Sequence, residues 1–494
     1  MAEGEGASLE PTLLGSERAR AGSFEQGRRH FRSLARPHDF EPLELEGELP
    51  EALRGLLVRN GPGAYESFGR RYGHWFDGDG AITAIELEGG RARGAQRFVE
   101  TPDRVEEAGA GRALLPGFGT RAPSLRAHFR AIRERRVKNA ANTNVIVWQQ
   151  RMLALHEGSL PVELELGSLR TLGPTQLEVL DTCMSAHPHR VAARRCTYNF
   201  GLELGRRPCA QLYAFPDEGP ARRLGSVSLP GSMMVHDFIA TERHLLFLLC
   251  PVYLRLAPMV LRGHSYVEAL RWRPERGTEV VAVPIDEPSA VKRFFVEPHY
   301  LFHFANAFES GDGRVTLDFV HYPDFPIINR WLTELIEPGP VHTAIDGTLV
   351  RAQLDLRRES FELEPLLESC EFPRVAPAVE GGRYRYAYLA AHAQREGVRP
   401  GAQDHLVKYD FERGEQAVWD FGPETYPSEP VFVPDPARAA DEDGGWLLSV
   451  VYDGGRDRSC LAVVDAGRAQ AGVLGRAWFD HHVPPTFHGN WVGA

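Results

Sequence analysis

Cysteine is scarce in this sequence, with six residues in 494 and no two arranged as a CxxC pair. That number and spacing are too sparse for a disulfide framework. A chain with so few cysteines is typical of a reducing compartment, so we expect the protein in the cytoplasm. The first 15 residues are acidic and lack the apolar core of a secretory signal, so no such signal is predicted.

Basic patches and uninterrupted apolar runs are also missing. Lys and Arg number 56 against 67 Asp and Glu, and no basic stripe is interleaved with aromatic residues, so we expect no nucleic-acid partner. The most apolar stretch, residues 245–261, is broken by Pro251, Arg255 and Pro258. Three interpretations stay open: a core strand followed by a buried loop, a surface segment over 250–262 that dips into a membrane, or a membrane span.

Repeats of the WD or kelch type are absent and helical periodicity is rare. Short apolar runs instead alternate with turn residues; WLLSVVYD and SCLAVVDA, for example, are joined through Asp453-Gly454-Gly455. Such hairpin signals along most of the chain predict an all-β propeller or barrel. Short helices are predicted over 125–137 and 327–336. We expect a loose arm over residues 1–35 and a single β domain over 36–494.

Four of the nineteen histidines lie in contexts that invite a metal-binding role. They are His187 in CMSAHPHR, His236 in SMMVHDFIAT, His303 in YLFHFANAFE and His488 in PTFHGNWV. These histidines are too far apart in sequence for one helix or hairpin, and in a closed β array they can meet only near a shared axis. Spacing alone does not select them, because a single histidine beside apolar residues is usually an ordinary hydrogen-bonded residue, as we expect for His189, His299 and His321.

A series of short motifs along the chain distinguishes these four histidines from the others. GELPEALRGLLVRNGPGAYE over 47–66 and YGHWFDGDGAITAI over 72–85 are followed in order by KNAANTNVIVW, FHFANAFE, EFP, PSEPVFV and FHGNW. Together they resemble the carotenoid cleavage oxygenases, a superfamily that includes stilbene-cleaving enzymes and a retinoid isomerase. The resemblance covers roughly residues 36–492 in sequence order.

The resemblance implies a seven-bladed β-propeller with a helical and loop cap over the face that bears iron. It implies that Fe(2+) is bound on the propeller axis by His187, His236, His303 and His488. It also implies that Glu157, Glu371 and Glu429 hold the ligand imidazoles by hydrogen bonds. Imidazole suits ferrous iron, and a carboxylate on the second ring nitrogen orients a ligating histidine and makes it more basic.

Three further positions are candidates: Thr143 and His156 through the same resemblance, and Phe302 because it adjoins His303. Thr143 matches a threonine beside the iron's vacant position, or is an ordinary strand threonine. Phe302 lines a substrate tunnel, or packs in the core. His156 stands where the stilbene-cleaving branch places a lysine; it can hydrogen-bond a hydroxyl but lacks a permanent charge, which favours a carotenoid over a stilbene.

The implied activity is insertion of both atoms of O2 across a conjugated C=C bond of a carotenoid or apocarotenoid, which gives two carbonyl products. No GxSxG or Cys/His pattern indicates a nucleophilic enzyme. A stilbene- or phenylpropanoid-cleaving dioxygenase, a retinoid-type isomerase, a hydrolytic zinc enzyme and a non-catalytic propeller stay open as alternatives.

Overall fold

The computed structural model describes residues 25–311, 313–343, 347–392 and 401–493. Of the loose arm predicted over residues 1–35, residues 1–24 lie outside this described part. Phe31 and Leu34 lie within it and are buried, so packed structure begins before residue 36.

The alternation of apolar runs and turns produces seven antiparallel sheets, each of four to six strands. The hairpin predicted around Asp453 is present, with Trp446 opposite Asp465 and Asp453 opposite Arg458. The sheets are arranged as the blades of a propeller, which confirms the predicted fold class.

We number the blades I to VII in chain order. Blade I, from the outside inward, contains His38–Pro42, Arg91–Phe98, Gly80–Glu88, Gly55–Pro62 and His488–Gly493. The next three blades, from the inside outward, are blade II with Asn144–Trp148, Arg151–Leu155, Val162–Leu164 and Thr171–Pro174; blade III with His189–Val191, Cys196–Glu203, Cys209–Pro216 and Arg222–Ser228; and blade IV with Ile239–Ala240, His244–Leu249, Thr278–Pro284 and Lys292–Val296.

The remaining blades follow the same plan. Blade V contains Tyr300–Glu309, Arg314–Tyr322, Thr348–Asp355 and Ser360–Leu367, and blade VI contains Cys370–Arg374, Tyr386–Ala391, His405–Asp410 and Glu415–Asp420. Blade VII contains Thr425–Pro427 and Val431–Pro434, which both pair with Gly445–Asp453, followed by Arg458–Asp465, Val473–Trp478 and Glu44–Gly47. Two small hairpins lie outside the blades and pair Glu66–Ser67 with Arg70–Arg71 and Val252–Leu254 with Leu270–Trp272.

Both ends of the described chain close the ring. The early strand Glu44–Gly47 pairs with Val473–Trp478 in blade VII, and the last strand, His488–Gly493, pairs with Gly55–Pro62 in blade I. Closure in this way leaves only the short strand edges that a propeller keeps at its axis and rim.

The innermost strands of all seven blades surround a cavity of about 560 Å³ on the propeller axis. We call this cavity the axial channel. The histidine cluster described below lies at one end of it, so the strand order around the ring determines which side chains meet at the axis.

The helices of the described residues lie before the first strand or between strands. The α-helices are Glu25–Arg28, Pro102–Ala110, Leu125–Glu134, Leu256–Arg262, Tyr266–Ala269 and Phe325–Glu334, and the single-turn 3-10 helices are Trp75–Asp77, Ala192–Arg194, Pro274–Arg276, Pro377–Val379, Pro436–Arg438 and Ala469–Ala471. Both predicted helices are present. The first begins after the Ser124 cap and ends at Glu134, three residues early, because Arg135 adopts a left-handed conformation with φ 51°.

The insertions between blades I and II contact those of blade IV. The backbone N–H of Val267 donates to the carbonyl of Phe118 over 2.9 Å, and the Phe118 and Tyr266 rings lie 5.4 Å apart. Nε2 of His128 lies 3.1 Å from the carbonyl oxygen of Val260. These contacts join separate insertions into one cap.

The apolar stretch over 245–261 divides into two parts. His244–Leu249 is a core strand of blade IV, as one interpretation expected. After it, the helix Leu256–Arg262 exposes Leu256, Val260 and Leu261 on the surface. No helix in the described residues is long and apolar enough to cross a membrane.

Candidate metal centre

The four histidines singled out in the sequence converge on the propeller axis. They lie at or next to the innermost strands of blades III, IV, V and I, in the order His187, His236, His303 and His488. Five of their ring-to-ring distances lie between 4.3 and 5.2 Å. Candidate ligand atoms of His187, His303 and His488 all lie within 4.8 Å of one another.

The donor set fits a divalent metal ion. Burial lowers the pKa of His187 to about 4 and that of His488 to about 3, so both rings are neutral near pH 7 and offer lone pairs. Nε2 of His187 is buried and has no hydrogen-bond partner among the described residues. A buried polar nitrogen without a partner is costly unless a ligand satisfies it, and a metal ion bound by imidazoles would do so.

Glu371 holds His303. One carboxylate oxygen lies 2.7 Å from Nδ1 of His303, and the other accepts a hydrogen bond from the Tyr322 hydroxyl over 2.9 Å. The carboxylate also accepts from the backbone N–H of Phe372. Because a carboxylate only accepts, it places the hydrogen of His303 on Nδ1 and leaves Nε2 free to bind a metal.

Glu429 holds His488 at the start of the last strand. Its Oε1 lies 2.8 Å from Nδ1 of His488, and its Oε2 accepts from the backbone N–H of Gly489 over 3.0 Å. Two arginines balance this carboxylate: Arg59 at 2.9 Å and Arg374 at 3.4 Å. Although burial alone raises the pKa of Glu429, Arg374, His488 and Arg59 together lower it, so the carboxylate stays ionised.

Glu157 approaches two of the histidines. Its Oε1 lies 2.5 Å from Nδ1 of His236 and 3.8 Å from Nε2 of His187. Burial raises the pKa of Glu157, but His236 and His187 outweigh that effect and lower it. Each of the three glutamates expected to hold an imidazole therefore lies next to a histidine of the cluster.

The other three candidates lie around the same cluster. The carbonyl of Thr143 accepts from the backbone N–H of His488 over 3.3 Å, and its hydroxyl donates to the Asn142 side chain. Phe302 is buried, with its ring 4.7 Å from that of His236. His156 adjoins Glu157 in sequence, and its Nδ1 lies 3.3 Å from the Ser159 hydroxyl oxygen.

Aromatic side chains border the cluster on the side of the cap. Phe76 lies 6.1 Å from Phe302, 5.4 Å from Phe487 and 5.4 Å from Phe118, measured between ring centroids. Phe118 in turn packs on Tyr266. We call these five residues the aromatic wall; it offers an apolar surface beside the histidines.

The histidines expected to be ordinary lie outside the cluster. His189 contacts Asp237 at 2.7 Å, and Asp237 also accepts from the backbone N–H of Phe304. His299 and His321 contact each other, with 3.3 Å between Nδ1 and Nε2.

Sequence reasoning missed Arg59, Arg374 and Tyr322, which fix the glutamates. Arg59 carried a usable signal, because a charged residue directly after Leu-Leu-Val in a buried strand requires a buried partner. Tyr322 and Arg374 carried no such signal, because a tyrosine in a buried strand is ordinary and Arg374 ends its strand only partly buried.

Comparison with known proteins identifies the family. The family model described as retinal pigment epithelial membrane protein matches residues 31–493. The apocarotenoid-15,15'-oxygenase of Synechocystis is 32% identical over 477 residues, which span 94% of this chain and 95% of that protein.

The chain belongs to this family of carotenoid cleavage oxygenases.

Other members of the family agree in sequence and in fold. The carotenoid 9,10(9',10')-cleavage dioxygenase of Crocus sativus is 27% identical, over 91% of this chain and 85% of that protein. The crystal structure of cobalt-substituted Synechocystis apocarotenoid oxygenase superposes with a TM-score of 0.87 at 31% identity, and covers 96% of this chain and 99% of that one. The predicted family, the propeller fold and the oxygenase class are thereby confirmed.

Proposed function

We propose that this family member is a non-haem Fe(2+) dioxygenase that uses O2 to cleave a conjugated C=C bond of a carotenoid or apocarotenoid into two carbonyl products. One observation carries the proposal: imidazoles from four blades cluster on the propeller axis, with carboxylates on the far nitrogens of three of them. The comparisons support the class of reaction, and the iron, the dioxygen and the substrate are the proposal.

His187, His236, His303 and His488 would hold the iron. When bound there, ferrous iron would supply the activation of dioxygen that a conjugated C=C bond requires. Four neutral imidazole ligands would not neutralise the charge of the ion. The carboxylates of Glu157, Glu371 and Glu429, on the far nitrogens of three rings, would offset part of it.

The residues of the chain do the positioning. Tyr322 orients Glu371, which orients the His303 ring, and Arg59 with Gly489 orients Glu429, which orients the His488 ring. Buried and fully bonded networks of this kind hold ligands rigidly. The proposed reaction requires no side-chain nucleophile. The task of the site is to place one double bond near the metal.

The aromatic wall supports an extended apolar substrate. Its rings present apolar faces next to His236 through Phe302, where a polyene can pack without leaving polar groups unpaired. The residue before Glu157 is His156, whose pKa is lowered by burial, so no permanent cation stands there to bind a phenolate. This supports a carotenoid or apocarotenoid over a stilbene.

We also propose a peripheral membrane contact, with the cytoplasm as the compartment. Beside Leu256, Val260 and Leu261, the helix Leu125–Glu134 exposes Leu125 and Phe129, and the His128–Val260 contact joins the two helices. We call these five exposed side chains the apolar patch. Contiguous exposed apolar residues rimmed by arginines are typical of surfaces that dip into one leaflet.

Anaerobic loading with Fe(2+) followed by exposure to 18O2 and a panel of carotenoids, apocarotenals and stilbenes tests the function. We expect two aldehyde or ketone products per substrate and uptake of oxygen from the gas. Conversion of a retinoid ester without oxygen consumption would identify an isomerase instead, and activity that requires zinc would indicate a hydrolase.

A further inference from the structure

The axial channel lies on only one side of the histidine cluster. It begins at His187, His303 and His488 and is then lined by residues that follow them in the inner strands, such as 304–306 and 490–493. Phe302, which precedes His303, instead packs on His236 and the aromatic wall. The cluster therefore separates an aromatic side from a second cavity that runs along the axis.

The far end of the axial channel is open to solvent. Gln149, Gln150, Pro377 and Pro434 line it there and are exposed. At the other end, the buried Nε2 of His187 has no hydrogen-bond partner within the described part of the chain. The open channel therefore reaches His187, the residue that carries this unpartnered nitrogen.

The charge of the lining favours cations. Four acids line the axial channel, Asp217, Asp237, Glu380 and Glu429, against two arginines, Arg190 and Arg374. Arg190 contacts Asp217 and Arg374 contacts Glu429. Glu380 forms no salt bridge among the described residues; burial raises the pKa of its carboxyl, and the nearby Arg374, His189 and Arg190 act against that rise.

The opposite side is unsuited to a hydrated ion. The aromatic wall offers mainly rings, and an ion that crosses apolar surroundings loses its water without replacement, at a cost of many kcal/mol. Channels lined by one sign of charge instead concentrate counter-ions and raise their association rate.

We propose that the axial channel is the route by which a hydrated divalent cation reaches the four histidines, and that Glu380 is the carboxylate it meets on the way. The inference rests on the proposed function, which places a metal at that cluster. It means that metal and apolar substrate approach from opposite sides, so the substrate side stays dry while the ion is loaded.

The rate of Co(2+) uptake by metal-free protein tests the route without any measurement of catalysis. Protein is mixed with Co(2+) at low ionic strength, samples are quenched with excess chelator at set times, and cobalt per chain is counted after desalting. We expect Glu380→Lys to slow uptake by about tenfold, because a cation now faces the ion in a confined space. Glu380→Gln should have a smaller effect, and 0.5 M NaCl should reduce both, since salt screens such interactions.

Val492→Trp tests the same route by bulk instead of charge. Val492 lines the axial channel near its open end, so a larger ring there should slow uptake in a way that salt does not relieve. Glu415→Lys is the matched control: it makes the same change in charge on the exposed outer strand of blade VI and should load at the wild-type rate.

The outcomes separate the two proposals. Slow uptake with an unchanged final content of one cobalt per chain supports the route. Wild-type uptake rates in Glu380→Lys and Val492→Trp, with both proteins folded by circular dichroism, would overturn it while leaving the metal site intact. No bound cobalt in the wild-type protein at equilibrium would overturn the proposed function itself.

Discussion

Nε2 of His236 lies 3.3 Å from Nε2 of His303, although 67 residues separate the two in the chain. The Nδ1 atom of each ring lies beside a carboxylate, Glu157 at 2.5 Å and Glu371 at 2.7 Å. Carboxylates only accept, so each Nδ1 donates its hydrogen and the two Nε2 atoms face each other. At 3.3 Å they share a proton or bind a cation between them, because two lone pairs this close repel. The two rings are therefore placed as two ligands of one metal ion would be.

Removal of one ring from this pair should release the metal. In His236→Ala we expect iron content and activity to be lost, a larger effect than the about 10–100-fold that loss of an outer hydrogen-bond partner costs. Iron per chain, counted after desalting, is the measurement. His321→Ala removes a histidine outside the cluster and should keep its iron; wild-type turnover in the His236 variant would refute the ligand assignment.

Glu371→Gln tests how the outer carboxylates act. The amide keeps the size of the side chain but holds the His303 ring less firmly and no longer offsets the ion's charge, so we expect iron affinity to fall about 10–100-fold with the fold retained. Competition with a chelator of known affinity measures this. Glu362→Gln, on an exposed position of the outer strand of blade V, should be indistinguishable from wild type.

The buried Arg59–Glu429 pair should be important for stability as well as for metal binding. Both side chains are essentially inaccessible and 2.9 Å apart, so Arg59→Met leaves a buried carboxylate short of a partner. We expect the free energy of unfolding, measured in urea, to be lower than that of the wild type by about 3–5 kcal/mol. Arg93→Met breaks an exposed pair with Glu86 and should change it by about 1 kcal/mol or less. Equal effects in the two variants would contradict the role of burial.

Acid should destabilise the protein through His482. Burial lowers the pKa of this ring to about 4 in the folded state, from an ordinary value near 6.5. Between these values the unfolded chain binds the proton and the folded chain does not, so stability is present above pH 6.5 and is lost as the pH falls toward 4.

The full effect is about 3 kcal/mol for one such histidine, and about 2 kcal/mol of it is reached by pH 5. The free energy of unfolding in urea, compared at pH 7 and pH 5, measures this loss of stability. His482→Gln should reduce the difference between the two values. If the difference between the two pH values were as large in His482→Gln as in the wild type, the acid sensitivity would come from other groups.

Charge in the apolar patch should weaken membrane binding. Leu261 is 81% exposed in the patch, and burial of such a side chain contributes about 1.5–3 kcal/mol. Leu256→Glu and Leu261→Glu should therefore each reduce co-sedimentation with liposomes by about tenfold or more. Leu204→Glu, an exposed leucine in a blade III hairpin, is the control. Wild-type protein that stays wholly in the supernatant would count against the membrane contact.

Much of the site could be predicted because its motifs are local. Each histidine and glutamate stands in a short segment that resembles the family, and hairpins such as that around Asp453 follow from neighbouring residues. Glu371 and His303 could be named as partners by resemblance, but the Tyr322 hydrogen bond that fixes Glu371 could not.

The surface was predicted only in part. A membrane contact over residues 250–262 was one of three interpretations and stays a prediction; the exposed Phe129, which joins the apolar patch from a helix more than 120 residues earlier, was not predicted. Likewise, nothing in the sequence indicated that the carboxylate of Glu380 lines the same cavity as His187.

The sequence by itself determined the β class, the family and the identity of the side chains at the centre, because alternation, turn residues and short motifs act over a few neighbouring positions. The tertiary structure alone decided which lone pairs face one another, which arginines balance Glu429, and that the axis has an aromatic side and a polar side. Those relations arise from ring closure, which brings together strands hundreds of residues apart, and no local pattern encodes such distances.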